Sequence, residues 1–259
     1  MPTAARTAPS LRPQWDRDGY VIARGLFAPA EVAEAADDAD RVREVLGHLM
    51  TTKNIRCRWS DNVLTGECQF DAFDPIIDLS PACRTLAHDR RLFDLLADLY
   101  GGPACLFKDK LIYKLPGAKG YGLHQDWIAW PRFPRSFLSV VVPLDPADEA
   151  NGCTLVYPGY HHAGPLTPAD GTYRELPAGT VDEARAVPLV LEPGDVAVFG
   201  GFVPHRSNPN LSDLPRRQLY FSYTKRSDGG DLRELHYQDF HAWLHLKYAE
   251  YGKTGTYFE

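Results

Sequence analysis

The sequence predicts a single, mostly β domain with flanking helices, built as a sandwich or barrel. Three observations lead there. The middle of the chain is a succession of short β-rich runs broken by Pro and Gly turns. Segments with helical periodicity stand before and after that strand-dense centre. No internal repeat and no Gly- or Ser-rich linker divides the 259 residues, of which 44% are hydrophobic, so one sizeable core over residues 1–259 is expected.

Each element has its own signal. Residues 1–14 lack an apolar signal core and read as a flexible leader. "GYVIARGLF" reads as a short strand. "APAEVAEAADDADRVREVLGHLM" reads as a helix of about five turns, opened by Pro29 at a first-turn position where its missing N–H costs nothing. "SPACRTLAHDRRLFDLLADLYGG" reads as one further helix, capped by Ser80, with Pro81 at its first position and Gly101-Gly102 stopping it. Then come the β-rich runs "LFKDKLIYKLPG", "SFLSVVVPLD", "CTLVYPG", "AVPLVLEPGDVAVFGG" and "RRQLYFSYTK". "YQDFHAWLHLKYAEYG" is a closing amphipathic helix, so 236–259 form a helix and tail.

Composition excludes several functions. A formal net charge of −6 and a pI near 5.8 argue against nucleic acid as a partner. No run approaches the roughly 18 apolar residues of a membrane span. Five cysteines without CxxC spacing fit neither a disulfide scaffold nor a zinc ribbon, and a reducing cytoplasm is the expected location. The expected partner is a small molecule, bound by a monomer or homodimer.

Chemistry enters with "LHQDWIAWP". Side chains at i and i+2 of a strand share a face, so His124 and Asp126 aim an imidazole and a carboxylate at one point. Alone the pair is weak, since nine histidines make an HxD common and His beside Asp is often only a hydrogen bond. The run "PGDVAVFGGFVPHRSNPNLSDLPRRQLYFSY" reads as strand, loop, strand, with His205 where the first strand ends and Arg216-Arg217 where the second begins. If the two strands pair as a hairpin, an arginine returns beside the histidine. Two His and one carboxylate leave the other positions of a metal open, the ligand pattern of non-haem Fe(II) oxygenases. A nearby guanidinium suits a carboxylate ligand gripped through two hydrogen bonds, which a zinc site would not need.

"HQD", "NGCTLVYPGYHH" and "PGDVAVFGGFVPHRSNPNLSDLPRR" together resemble the phytanoyl-CoA dioxygenase family over roughly residues 15 to 225. The resemblance implies a double-stranded β-helix, or jelly roll, and an Fe(II)- and 2-oxoglutarate-dependent dioxygenase. It places the iron ligands on His124, Asp126 and His205, the 2-oxoglutarate arginine on Arg216, and a cosubstrate-contacting serine on Ser207. It also implies the reaction: O2 is consumed, 2-oxoglutarate gives succinate and CO2, and an unactivated C–H of a small metabolite, of secondary or specialised metabolism, is hydroxylated. The carboxylate of Asp126 disfavours halogenation, while desaturation or cyclisation, a non-catalytic cupin-like binding protein and a zinc hydrolase stay as alternatives.

Neighbours in a strand face opposite sides, so only one of Arg216 and Arg217 reaches the cosubstrate. Arg216 shares parity with Gln218, Tyr220 and Ser222, and Arg217 with Leu219, Phe221 and Tyr223. A partly polar barrel interior, with the apolar face under helices, selects Arg216. Lys108, Lys110 and Lys114 share one strand face, either as a solvated stripe or with Lys110 as a second cation for 2-oxoglutarate. Trp127 and Trp130 follow the ligand pair and wall a substrate pocket unless one is core. Arg56, in "KNIRCRW" with Lys53 and Arg58, and Tyr157 are further substrate-side candidates. His236, His241 and His245 lie on the terminal helix, as a buried face or a second metal site.

Overall fold

In the computed structural model, which describes residues 10–130 and 133–259, structure begins inside the stretch expected to be a leader. Arg12–Asp18 form α1, too short and too polar to show a helical period, and Trp15 packs against the main core. The leader expectation for residues 1–9 lies outside the described residues. β1 is Tyr20–Ala23. α2, Pro29–Val45, starts at Pro29, and the Glu31 carboxylate accepts from the Ala28 N–H at 2.7 Å. Its buried face is Val32, Ala35, Ala36, Ala39 and Val42, the spacing of one helical stripe. β2 (Cys57–Asp61) and β3 (Cys68–Phe73) follow, neither of them foreseen.

The expected second helix is two. α3 is Pro81–Ala87, with Ser80 Oγ accepting from Cys83 N–H at 3.1 Å, and α4 is Arg90–Tyr100. Asp89 breaks the run because its carboxylate accepts from Arg91 N–H at 2.7 Å, starting a new helix in mid-segment. Gly101, at φ 63°, ends α4. The remaining elements are β4 Ala104–Lys114, β5 Tyr121–His124, β6 Leu138–Pro143, β7 Thr154–Val156, β8 Val187–Pro188, β9 Val196–Gly200, β10 His205–Ser207, β11 Arg216–Lys225 and α5 Arg233–Glu250.

Two antiparallel sheets result, a seven-stranded one in the order β1-β9-β6-β11-β4-β3-β2 and a four-stranded one in the order β5-β10-β7-β8. This is the helix-flanked double sheet of a jelly roll. One face of the larger sheet carries Leu111, Tyr113, Leu219, Phe221 and Tyr223 into the main core with α2, α3 and α4. The other face carries the polar partners of those positions, and it turns toward the smaller sheet.

The expected hairpin is absent. His205 does not end β9 but opens β10, which pairs with β5 and β7 in the smaller sheet. β11 lies between β4 and β6 in the larger one. The intervening chain changes sheets, so Arg216 comes from the opposite wall rather than from a neighbouring strand.

Candidate metal and cosubstrate site

His124 ends β5 and His205 opens β10, and the two residues are register partners across that strand pair. Their rings lie 4.2 Å apart between centroids. Asp126 sits just past the end of β5, with Oδ1 3.7 Å from Nε2 of each histidine. One ligand atom from each of the three comes within 4.8 Å of the others, the single such cluster among the described residues. The helical histidines therefore form no second metal group there: His236 stacks on Phe240, and His241 lies against Phe258.

The hydrogen bonds behind the cluster fix how it presents itself. Nδ1 of His124 faces the Gly122 carbonyl at 2.7 Å, and Nδ1 of His205 faces the Val203 carbonyl at 3.0 Å. Each ring must donate from Nδ1, which leaves the Nε2 lone pair for a metal. Ser139, on β6, donates to Asp126 Oδ2 at 2.6 Å and turns Oδ1 toward the histidines. Burial, with the neighbouring His205, pushes His124 down to about 3. Burial would raise the Asp126 carboxyl, but His205, His124 and Lys110 carry it down to about 2. Two nitrogen lone pairs and an ionised carboxylate on one side of a point fit Fe(II) with open positions beyond them.

A cleft of about 360 Å³ adjoins this cluster, lined by Lys110, Ile112, Tyr121, Thr154, Ser207 and Tyr220 among others. Arg216 shares the inward face of β11 with Gln218 and Tyr220 and is 2% exposed. It donates to Gln218 Oε1, while its Nε has no partner, and it joins no ion pair among the described residues. A buried guanidinium without a counter-charge is costly unless an anion completes it. The residues present thus suit a dicarboxylate as well as a metal. Arg217 points the other way, into ion pairs with Asp145 at 2.8 Å and Asp40 at 2.9 Å.

The lysine stripe is not solvated. Lys114 is 1% exposed and donates to the Gly152 carbonyl at 2.9 Å, to Ser207 Oγ at 2.9 Å and to the Asn208 carbonyl. Burial, with Arg216 nearby, lowers it to about 7. Gly152, at φ 71°, is required here, since a Cβ would run into the backbone carbonyls of Asn208 and Pro209. Ser207 Oγ also accepts from Tyr121 N–H at 3.3 Å, so both its lone pairs are taken and its own hydrogen is free to donate. Lys110 lies in the cleft wall with Nζ 5.2 Å from the Tyr220 ring.

Four sequence expectations fall elsewhere. Trp127 is buried with Phe107 and Phe137 and is not among the cleft residues. Trp130 donates to the Gly171 carbonyl at 2.5 Å and packs on Trp243 of α5. Past the end of β5 the chain no longer alternates, so following the ligands in sequence does not place a side chain beside them. Arg56 precedes β2 and is turned to the Glu259 and Pro75 carbonyls, at 2.7 and 3.0 Å. Tyr157 is buried behind Arg206, accepting from its Nε at 2.7 Å and donating to Glu183 at 2.6 Å. Sequence reasoning missed Ser139, whose signal was a lone hydroxyl in an apolar strand. It also missed Tyr173, whose ring lies 5.4 Å from that of His124.

A profile of the phytanoyl-CoA dioxygenase family matches residues 15–218. The chain is 36% identical over 165 residues to a methylphosphonate hydroxylase of Gimesia maris, an alignment covering 63% of this chain and 62% of that protein. It is 28% identical over 222 residues to a 2-aminoethylphosphonate dioxygenase of an uncultured bacterium, covering 83% of this chain and 81% of the relative. The crystal structure of AviO1 from Streptomyces viridochromogenes Tue57 shares the fold, with a TM-score of 0.68 at 24% identity, over 86% of this chain and 98% of that one.

Proposed function

The chain belongs to the phytanoyl-CoA dioxygenase family of Fe(II)- and 2-oxoglutarate-dependent dioxygenases, and from that premise we propose that it hydroxylates a C–H bond of a small anionic metabolite, an alkylphosphonate. The observation that carries the reading is two unlike sites joined through Ser207, a cleft residue that accepts from Lys114, the register partner of Arg216. On one side stand His124, Asp126 and His205 with their ligand atoms converged. On the other stands Arg216, buried and without a counter-charge. The phosphonate class rests on two relatives with phosphonate in their names and on the cations that line the cleft.

When bound, Fe(II) and 2-oxoglutarate supply the oxidising chemistry, in which O2 is consumed, 2-oxoglutarate leaves as succinate and CO2, and one oxygen atom enters the substrate. The chain positions and shields. His124, Asp126 and His205 would hold the metal, with Ser139 keeping the carboxylate turned. Arg216 would take a carboxylate of the cosubstrate, Ser207 would offer its hydroxyl to it, and Lys110 would add charge from the cleft wall.

Anaerobic titration of the protein with Fe(II) and 2-oxoglutarate tests the site, through the weak visible charge-transfer band of the chelate. Turnover is tested by succinate formation with phosphonates under ¹⁸O2. The expected result is substrate plus one labelled oxygen and one succinate per turnover, lost in His124→Ala, Asp126→Ala and His205→Ala while the fold is kept. A product two hydrogens lighter with no added oxygen refutes hydroxylation, and no chelate band in iron-loaded protein refutes the enzyme reading.

A further inference from the structure

We propose that Arg58 and Lys108, joined through Asp74, form the subsite that grips the phosphonate group of the substrate; the inference rests on the function proposed above and assigns it residues. The placement follows from strand register. Arg58 is paired with Ala72, Ala72 with Ile112, and Ile112 with Gln218. Residues opposite one another across a sheet share a face, so this row projects to one side. Ile112 lines the cleft beside the metal cluster, and its register partner Gln218 accepts from Arg216. Arg58 therefore faces the same interior, two strands beyond Ile112. Lys108 shares the face of Lys110 and Ile112 by alternation along β4, because the register irregularity of this pair falls beyond it, between Ser222 and Tyr223.

One carboxylate stands directly between two of the cations. Asp74, 1% exposed, lies 3.0 Å from Lys108 Nζ and 3.5 Å from Arg58 Nε through the same oxygen, Oδ2. One carboxylate thus serves two cations. The remaining nitrogens of Arg58 make no hydrogen bond among the described residues, although its side chain is 35% exposed. Lys108 is held from the far side by the Phe240 ring, 4.0 Å from Nζ. Lys110 adds a third cation with no ion pair among the described residues. The other nearby carboxylate, Asp71, accepts from Tyr121 at 2.7 Å. Asp126, which would ligate the metal, is the third carboxylate facing these three cations.

Unused N–H donors on a planar guanidinium, beside an ammonium on the same sheet face, suit a compact group with several oxygens and up to two negative charges. A phosphonate is that group. Arg216 and Lys114, farther along the same sheet, form a separate cationic end for the dicarboxylate, so the two anions need not compete. Burial lowers Lys108 to about 8, and an anion beside it acts against that shift.

The test is steady-state succinate formation by the iron-loaded full-length protein with methylphosphonate, 2-aminoethylphosphonate and longer alkylphosphonates. The variants are Arg58→Gln, Arg58→Lys and the charge-balanced double variant K108M/D74N, which avoids leaving Asp74 without its lysine. Arg58→Gln and the double variant are expected to raise KM for the phosphonate about 100-fold, with KM for 2-oxoglutarate changed less than about twofold, and Arg58→Lys to recover part of the loss. Wild-type protein that oxidises a phosphonate, with KM unchanged in both variants, overturns the subsite and leaves the proposed function standing. Wild-type protein that oxidises no phosphonate overturns both.

Discussion

Replacing Arg216 by methionine should stabilise the cosubstrate-free protein while removing the stabilisation that 2-oxoglutarate gives. The guanidinium is 2% exposed, and Nε is unpartnered. Without an anion it carries the desolvation penalty of a buried charge, several kcal/mol before relaxation and water entry reduce it. Methionine fills similar volume without charge, and Gln218 Oε1 keeps the Tyr220 hydroxyl at 3.2 Å as a partner. A gain of about 1–3 kcal/mol is expected, which is about 2–8 °C in Tm for a chain of this size. Loss of a bidentate charge-assisted pair should weaken cosubstrate binding by about 2–4 kcal/mol. At a 2-oxoglutarate concentration 100 times the wild-type Kd, the wild type gains about 2.7 kcal/mol and the variant less than about 1 kcal/mol. Anaerobic melts of Fe(II)-loaded protein with and without 2-oxoglutarate read both effects. Arg217→Met is the control. It breaks the pairs with Asp145 and Asp40, so it should lower Tm and leave the 2-oxoglutarate shift intact. If the two variants behaved the other way round, the assignment of Arg216 to the cosubstrate would be refuted.

Three further outcomes follow from the same geometry. Ser139→Ala removes the 2.6 Å bond to Asp126 Oδ2 and should weaken Fe(II) binding about 10–100-fold by anaerobic titration, with KM for 2-oxoglutarate changing less. Lys114 titrates at about 7 in the folded protein and at about 10.4 when unfolded, so between those values the unfolded chain binds the extra proton and stability gains with pH through this residue. Lys114→Met should flatten that rise in denaturant melts at pH 7, 8 and 9, and an unchanged slope would show that the residue stays charged. Trp127→Ala should act on stability and not on coupling, costing about 3–5 kcal/mol, because the ring is packed with Phe107 and Phe137; succinate released without product oxidation at unchanged Tm would place the ring against the substrate instead.

The metal cluster was legible because its signal is local and chemical: an HxD at a strand end and one distant histidine. The parity of β11 was legible too, since "RRQLYFSYTK" alternates without interruption over ten residues. What the two-residue period did not place were residues outside the strands other than Asp126. Trp127 and Trp130 lie past the end of β5, and Arg56 lies before the start of β2, so the two-residue period places none of them. Arg58, two residues on, falls inside the strand, where register with Ala72 and Ile112 fixes its face. β10 is three residues long, too short to carry a pattern, and with it went the change of sheet between His205 and Arg216. α3 and α4 were merged because Asp89 as a cap and Asp89 as a surface residue look alike until the backbone is seen.

The division of the site between the two sheets has a consequence for how the family can diversify. His124 and His205 are on the four-stranded sheet, and Asp126 directly follows its strand β5, whereas Arg58, Lys108, Lys110, Lys114 and Arg216 all come from the seven-stranded one. On the proposed assignment, a substitution on β2 or β4 would change which organic anion is held while leaving the strands that carry His124 and His205 untouched. On the proposed assignment the cosubstrate would bridge the two walls, between the metal ligands and Arg216. Its arrival and departure should set how freely the sheets move against each other, and each catalytic cycle would stiffen and release the barrel once.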